Sequence, residues 1–95
     1  MDNSLELNQE IGERIRRARQ AKNMSQQELS VKADISLPHI SEIENGKKSM
    51  KLVTFIRIIE ALQVSADSII VSAKEVMVLG KDASPSAMIR LGNRS

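Results

Sequence analysis

Apolar residues recur along this chain at the three- and four-residue spacing of amphipathic helices. In the first quarter of the chain this stripe consists of Leu7, Ile11, Ile15 and Ala18. It predicts a helix from about Asn8 to Lys22. Asn23 follows, a residue that tolerates the left-handed conformation in which many helices end.

The stretch from Ser25 to Gly46 predicts two short helices joined by a tight turn. Ser25 and Glu28 have the spacing of a capping box, which marks the start of a helix. Asp34 falls between the helices, where we expect a left-handed backbone, and Ser36 caps the second helix. Gly46 is suited to ending it. The apolar residues that let the two helices share one small core are Leu29, Ala33, Ile35, Ile40 and Ile43.

The second half of the chain predicts two further helices. The first runs from about Lys51 to Leu62 and has a broad apolar face, formed by Leu52, Val53, Phe55, Ile56, Ile58, Ile59 and Leu62. Ser65 then caps a fifth helix through the sequence ADSIIV, with Asp67 favourable near the positive end of the helix dipole. We therefore expect an all-α, compact five-helix domain over residues 7–71 and a C-terminal extension over residues 72–95.

Composition narrows the classes of function. The single aromatic residue, Phe55, argues against single-stranded nucleic acid or RNA loops, because base-stacking surfaces need several aromatic rings. The absence of cysteine excludes a disulfide framework and fits a reducing cytoplasm. No apolar run approaches 18 residues, so neither a membrane span nor a signal peptide is indicated. One histidine, no glycine-rich phosphate loop and no acidic cluster with metal spacing make an enzyme, a metal site or a cofactor unexpected.

Positive charge is concentrated in one part of the chain. The net charge is only +2, but residues 14–22, RIRRARQAK, carry five positive charges and no negative charge. Two interpretations of this positively charged run remain open: it is a surface that attracts a polyanion, or it is the solvated face of a helix.

The order of these residues resembles the Xre/Cro family, the lambda-repressor-like helix-turn-helix domains that bind DNA. The resemblance extends to about Val71. It is carried by Ile11, Ile15, Arg16, Arg19, Met24, Ser25, Gln26, Leu29, Ile35, Ser36, Ile40, Ser41, Ile43, Glu44, Gly46 and Lys47. The alternative is a helical bundle with no role in DNA binding.

The resemblance implies that the second of the two short helices enters the DNA major groove. Helical geometry and the family's contact pattern together indicate a groove-facing set of Ser36, Leu37, Pro38, His39, Ser41 and Glu42. No Arg, Lys, Gln or Asn occurs among residues 36–42, so the common bidentate base contacts are missing. Leu37 and Pro38 suit thymine methyl groups and Glu42 suits cytosine N4, whereas His39 is as compatible with a phosphate contact or plain exposure. We therefore expect the direct contacts with bases to give modest sequence discrimination, and the sequence-dependent deformability of DNA to add to it.

The resemblance also implies where the DNA backbone is held. Ser25 and Gln26 begin the first short helix, where the family contacts phosphate with help from exposed backbone N–H groups. Asn45, Lys47 and Lys48 would contact the other strand. The resemblance further implies that Arg19 pairs with Glu44 and so fixes the angle between the first and third helices.

Two helix-turn-helix units are needed to read a site long enough to be found, so we expect a homodimer on a pseudo-palindrome. The predicted interface consists of Ile69, Ile70, Val76, Val78, Leu79, Met88 and Leu91. Alternatively, these residues cap the core of the monomer. The resemblance thus implies a regulator of transcription whose partner is double-stranded DNA. We expect it to be of bacterial or phage type, to act in the cytoplasm and to be a repressor rather than an activator. The competing interpretation is an antitoxin-type module whose C-terminal extension binds a protein partner.

Overall fold

The computed structural model of the chain describes residues 4–47 and 49–70. Its four helices are α1 (Ser4–Ala21), α2 (Gln26–Ala33), α3 (Leu37–Glu44) and α4 (Leu52–Leu62), and a 3-10 turn follows at Ala66–Ser68. Over these residues the fold is all-α, without strands. Within the same ranges, no helix has the length and apolar character that crossing a membrane requires.

One hydrophobic core joins the four helices. Helix α1 packs against α3, and α2 packs against both α3 and α4. Most residues of the predicted apolar stripes are buried there, and eight are fully buried: Ile11, Ile15, Leu29, Ile40, Ile43, Phe55, Ile58 and Leu62. The predicted face of α4 was too broad at one edge, because Val53 is exposed. These contacts hold α3 on the surface of the domain with one side buried.

The predicted start of α2 is confirmed in atomic detail. The Ser25 hydroxyl accepts a hydrogen bond from the Glu28 N–H, and the Glu28 carboxylate accepts one from the Ser25 N–H, each at 3.0 Å. The backbone and side-chain hydrogen bonds with Ser25 lower the pKa of the Glu28 carboxyl below its ordinary value. The expected left-handed turn is also present, because Asp34 has φ 57° and ends α2.

The first helix starts earlier than predicted. Helix α1 begins at Ser4, about one turn before Asn8, because the half-buried Leu7 continues the apolar stripe and Glu6 suits the first turn.

A fifth α-helix is not found among the described residues. Ser65 makes no side-chain cap, and the 3-10 turn contains only three residues. Arg14 Nη1 on α1 donates to the carbonyl oxygen of Ile69 at 2.9 Å, so this acceptor is occupied by a side chain of another helix. The chain is thereby tied to α1 where the fifth helix was expected.

Candidate nucleic-acid interface

Helix α3 has one buried side and one accessible side. Ile40, Ile43 and Glu44 are buried. The predicted groove-facing residues all lie on the accessible side: Ser36, Leu37 and Pro38 are exposed, and His39, Ser41 and Glu42 are half-buried. The six candidate base-contacting residues thus all retain some exposure to solvent, most of it at the start of α3.

Local sequence explains how α3 starts at this surface. Ser36 has an extended backbone, and its hydroxyl accepts a hydrogen bond from the His39 N–H at 3.3 Å. Pro38 occupies the first turn, where its missing N–H breaks no helical hydrogen bond. At the other end Gly46 adopts φ 68° and its N–H donates to Ile43, so the chain turns away immediately after the helix.

A buried ion pair holds the C-terminal end of α3. Arg19 Nε donates to Glu44 Oε2 at 2.7 Å, and Nη2 donates to Glu44 Oε1 at 3.0 Å. The side chain of Glu44 is 1% exposed and that of Arg19 is 11% exposed. Arg19 Nη1 also donates to the carbonyl oxygen of Met24 at 2.8 Å. The pair thus connects α1, the loop before α2 and α3 through charge-assisted hydrogen bonds.

The Glu44 carboxylate has a third donor, which the sequence analysis did not identify. Gln26 Nε2 donates to Glu44 Oε1 at 3.0 Å. Gln26 was expected at a phosphate, and in the structure its side-chain amide links the start of α2 to the end of α3. Its backbone N–H lies in the first turn of α2, the position at which helices bind anions. Spacing alone could not indicate the Gln26 contact, because it depends on how two helices cross.

The backbones of α1 and α3 approach each other closely at Gly12. A Cβ atom placed on Gly12 would lie 2.2 Å from the carbonyl oxygen of Ile43 and 2.9 Å from that of Glu44. Only glycine fits this contact. A glycine inside a helical stripe is itself a signal of close packing, and the sequence analysis did not use it.

The other candidate phosphate contacts are exposed wherever the structure describes them. Ser25, Asn45 and Lys47 are exposed, and Lys48 lies outside the described residues. Ser25 already serves as the cap of α2, so its hydroxyl has a structural role in addition to any contact with DNA.

The basic run of α1 is largely paired along the helix. Arg16 and Arg17 lie 3.6 Å and 3.3 Å from the carboxylate of Glu13, and Arg14 lies 3.5 Å from that of Glu10. These contacts fit the interpretation of a solvated helix face with compensated charge.

Two residues of the predicted dimer interface are described, and they differ. Ile69 is 1% exposed and belongs to the core of the protomer, as the alternative interpretation expects of it. Ile70 is half-buried. Val76, Val78, Leu79, Met88 and Leu91 lie outside the described residues, as does the rest of the C-terminal extension.

The described residues contain no group of three or more His, Cys, Asp or Glu side chains that could hold a metal ion.

The fold, in which a tight turn joins α2 to α3 and one side of α3 is accessible, is that of a helix-turn-helix protein. A family model described as helix-turn-helix matches residues 15–69, more than half of the chain. The chain belongs to this family, the Xre and lambda-repressor-like helix-turn-helix domains. No curated protein and no solved structure matches it.

Proposed function

We propose that this protein is a sequence-specific regulator of transcription that binds double-stranded DNA. It binds as a dimer to a pseudo-palindromic operator and represses transcription there. It acts in the cytoplasm of a bacterium or of a phage-infected cell. The observation that carries the proposal is the asymmetry of α3. Its buried side is fixed by the core and by the Arg19–Glu44 pair, while none of the six groove-facing candidates among residues 36–42 is buried. A rigid helix with one accessible side is what the major groove accepts.

Base contacts are assigned to the residues at the start of α3 and one turn later. Ser36, Leu37 and Pro38 form the leading turn, and His39, Ser41 and Glu42 follow. The Glu42 carboxylate would accept a hydrogen bond from cytosine N4. Because this set offers no bidentate donor, discrimination at each base pair is modest and DNA shape contributes.

Affinity would come mainly from phosphates. The first N–H groups of α2 and the side chains of Ser25 and Gln26 would hold one strand, and Asn45, Lys47 and Lys48 would hold the other. Phosphate contacts release counterions, so each one adds to the dependence of affinity on salt concentration.

A dimer would place two α3 helices in successive major grooves, with half-sites about 34–36 Å apart. Since Ile69 is buried in the protomer, the interface would be formed by Ile70 together with Val76, Val78, Leu79, Met88 and Leu91 of the extension.

Selection of bound sequences from a random duplex pool tests the proposal most directly. We expect a two-fold symmetric consensus with half-sites one helical turn apart. Purified protein that selects no sequence, or that ignores duplex DNA at low salt, would overturn the proposal. Sedimentation of the full chain on its own and with the selected duplex measures the stoichiometry, and a single copy per site would contradict the dimer.

The phosphate assignment has its own test. The Lys47→Ala/Lys48→Ala double variant should weaken binding to every duplex and reduce the slope of log affinity against log salt by about one per lost contact. Lys32→Ala, which removes an exposed lysine at the end of α2, is the matched control. An unchanged slope in the double variant would show that these lysines are not phosphate ligands.

A further inference from the structure

The leading turn of α3 exposes apolar side chains to solvent. Ser36, Leu37 and Pro38 are three consecutive exposed residues, and two of them are apolar. Leu37 is 39% exposed and does not belong to the core cluster, although leucine is usually buried.

Two backbone positions at the start of α3 have no free N–H group to offer a ligand. Pro38 has no N–H group, and the N–H of His39 is bonded to the Ser36 hydroxyl at 3.3 Å. The start of α3 is therefore poorly equipped to hold a phosphate or to form hydrogen bonds with base edges through its main chain. Its accessible chemistry is dominated by the side chains of Leu37 and Pro38.

The base edges in the major groove offer these side chains one apolar partner, the C5-methyl group of thymine. We infer that Leu37 and Pro38 are specificity-determining residues that read C5-methyl groups, and that the protein selects thymine at one or two fixed positions of each half-site. The inference rests on the proposed function, because it requires α3 to enter the major groove. Burial of one methyl-sized group changes an equilibrium constant about fourfold, so the effect is measurable at single positions.

Removing single methyl groups from the DNA tests this inference. In the duplex obtained by selection, each thymine is replaced in turn by deoxyuridine, and dissociation constants are measured by fluorescence anisotropy. We expect about fourfold weaker binding at one or two positions of each half-site and no change elsewhere. At those positions a pair of 5-methylcytosine with guanine should bind about fourfold more tightly than cytosine with guanine, because the two pairs differ only by the methyl group.

Variants of the protein assign the effect to the leading turn. Leu37→Ala should weaken binding to the thymine duplex and remove the penalty for deoxyuridine at one position, and Pro38→Ala should do so at the neighbouring position. Leu5→Ala is the matched control, because it removes a similarly exposed leucine from α1, where Leu5 is 58% exposed. Circular dichroism checks that each variant is folded, and the deoxyuridine series on the unaltered protein does not depend on any variant.

Each outcome decides the inference. Penalties that disappear in Leu37→Ala or Pro38→Ala but persist in Leu5→Ala support it. Equal binding to thymine and deoxyuridine duplexes overturns it and leaves the proposed function intact, as do penalties that persist in both variants and so report DNA deformability. Failure to bind any duplex overturns the inference and the proposed function together.

Discussion

The two ends of α3 are only about 12 Å apart along the helix axis, yet their surroundings are opposite. At the C-terminal end, the Glu44 carboxylate accepts three hydrogen bonds and the backbone of α1 presses against the helix at Gly12. At the N-terminal end, Leu37 and Pro38 are exposed. One helix thus has an end that is fixed by buried contacts and an end whose side chains are exposed. Substitutions at the first should lower stability, and those at the second should change binding at little cost to the fold.

The largest expected effect is at the buried pair. Arg19→Ala leaves Glu44 buried without its cation, and loss of one partner of a buried pair costs about 3–5 kcal/mol of unfolding free energy. Urea unfolding followed by circular dichroism measures this loss. Arg17→Ala is the control, because Arg17 is exposed and pairs with the half-exposed Glu13 on the same helix. Equal unfolding midpoints for the two variants would show that the C-terminal end of α3 does not determine stability.

Gly12→Ala tests the same end without changing any charge. The added Cβ collides with the carbonyl oxygen of Ile43, so α1 and α3 must separate, at a cost of about 1–3 kcal/mol. This cost opposes the better helix propensity of alanine, which by itself would stabilise α1. A fall in the midpoint of thermal unfolding is expected, and a rise would mean that the close approach is not maintained in solution.

At the N-terminal end we expect a smaller loss. Ser36→Ala removes the hydroxyl that caps α3 and should cost about 1 kcal/mol, consistent with the long 3.3 Å hydrogen bond that is lost. Ser36→Asp retains a capping acceptor and should restore the midpoint of urea unfolding. If Ser36→Ala destabilises as strongly as Arg19→Ala, the contrast between the two ends of α3 is wrong.

The smallest expected effect is a pH dependence of stability that arises at the start of α2 and not at the start of α3. Both helices begin with a serine cap, but only α2 adds a carboxylate, that of Glu28. Its pKa is lowered in the folded state by the hydrogen bonds with Ser25, so the ionised form stabilises the fold. This contribution is complete above the unfolded pKa, close to 4.5, and is lost as the pH falls through the folded value.

Glu28→Gln should therefore lower the urea midpoint slightly at pH 7 and have less effect near pH 3. Glu60→Gln, at an exposed position of α4, is the control. An effect of Glu28→Gln that is the same at both pH values would show that the carboxylate does not stabilise the cap in its ionised form.

The sequence was most informative where structure depends on neighbouring residues. The capping box at Ser25 and the left-handed turn at Asp34 follow from residue types at short spacing, and both are present. The fifth helix was predicted on the same kind of local signal, but the described residues form a 3-10 turn there, and the carbonyl oxygen of Ile69 accepts a hydrogen bond from Arg14 of α1. A contact across 55 residues has no local signature.

The same limit applies to the candidate interface. Periodicity placed Ile40 and Ile43 inside and Pro38 outside, because all three follow from helical geometry. The bond from Gln26 to Glu44 was missed, since it depends on the crossing of α2 and α3. Gly12 could have been recognised, because an interior helical glycine is costly unless another backbone approaches it.

The bond from Arg14 to Ile69 also sets where the C-terminal extension starts. The Ile69 carbonyl is fixed to α1 and its side chain lies in the core, so the chain leaves the domain from a defined position shortly before the extension of residues 72–95. A change at Arg14 would therefore remove one of the two contacts that hold Ile69, without altering a residue of the helix-turn-helix. The buried side chain of Ile69 would remain as the second contact.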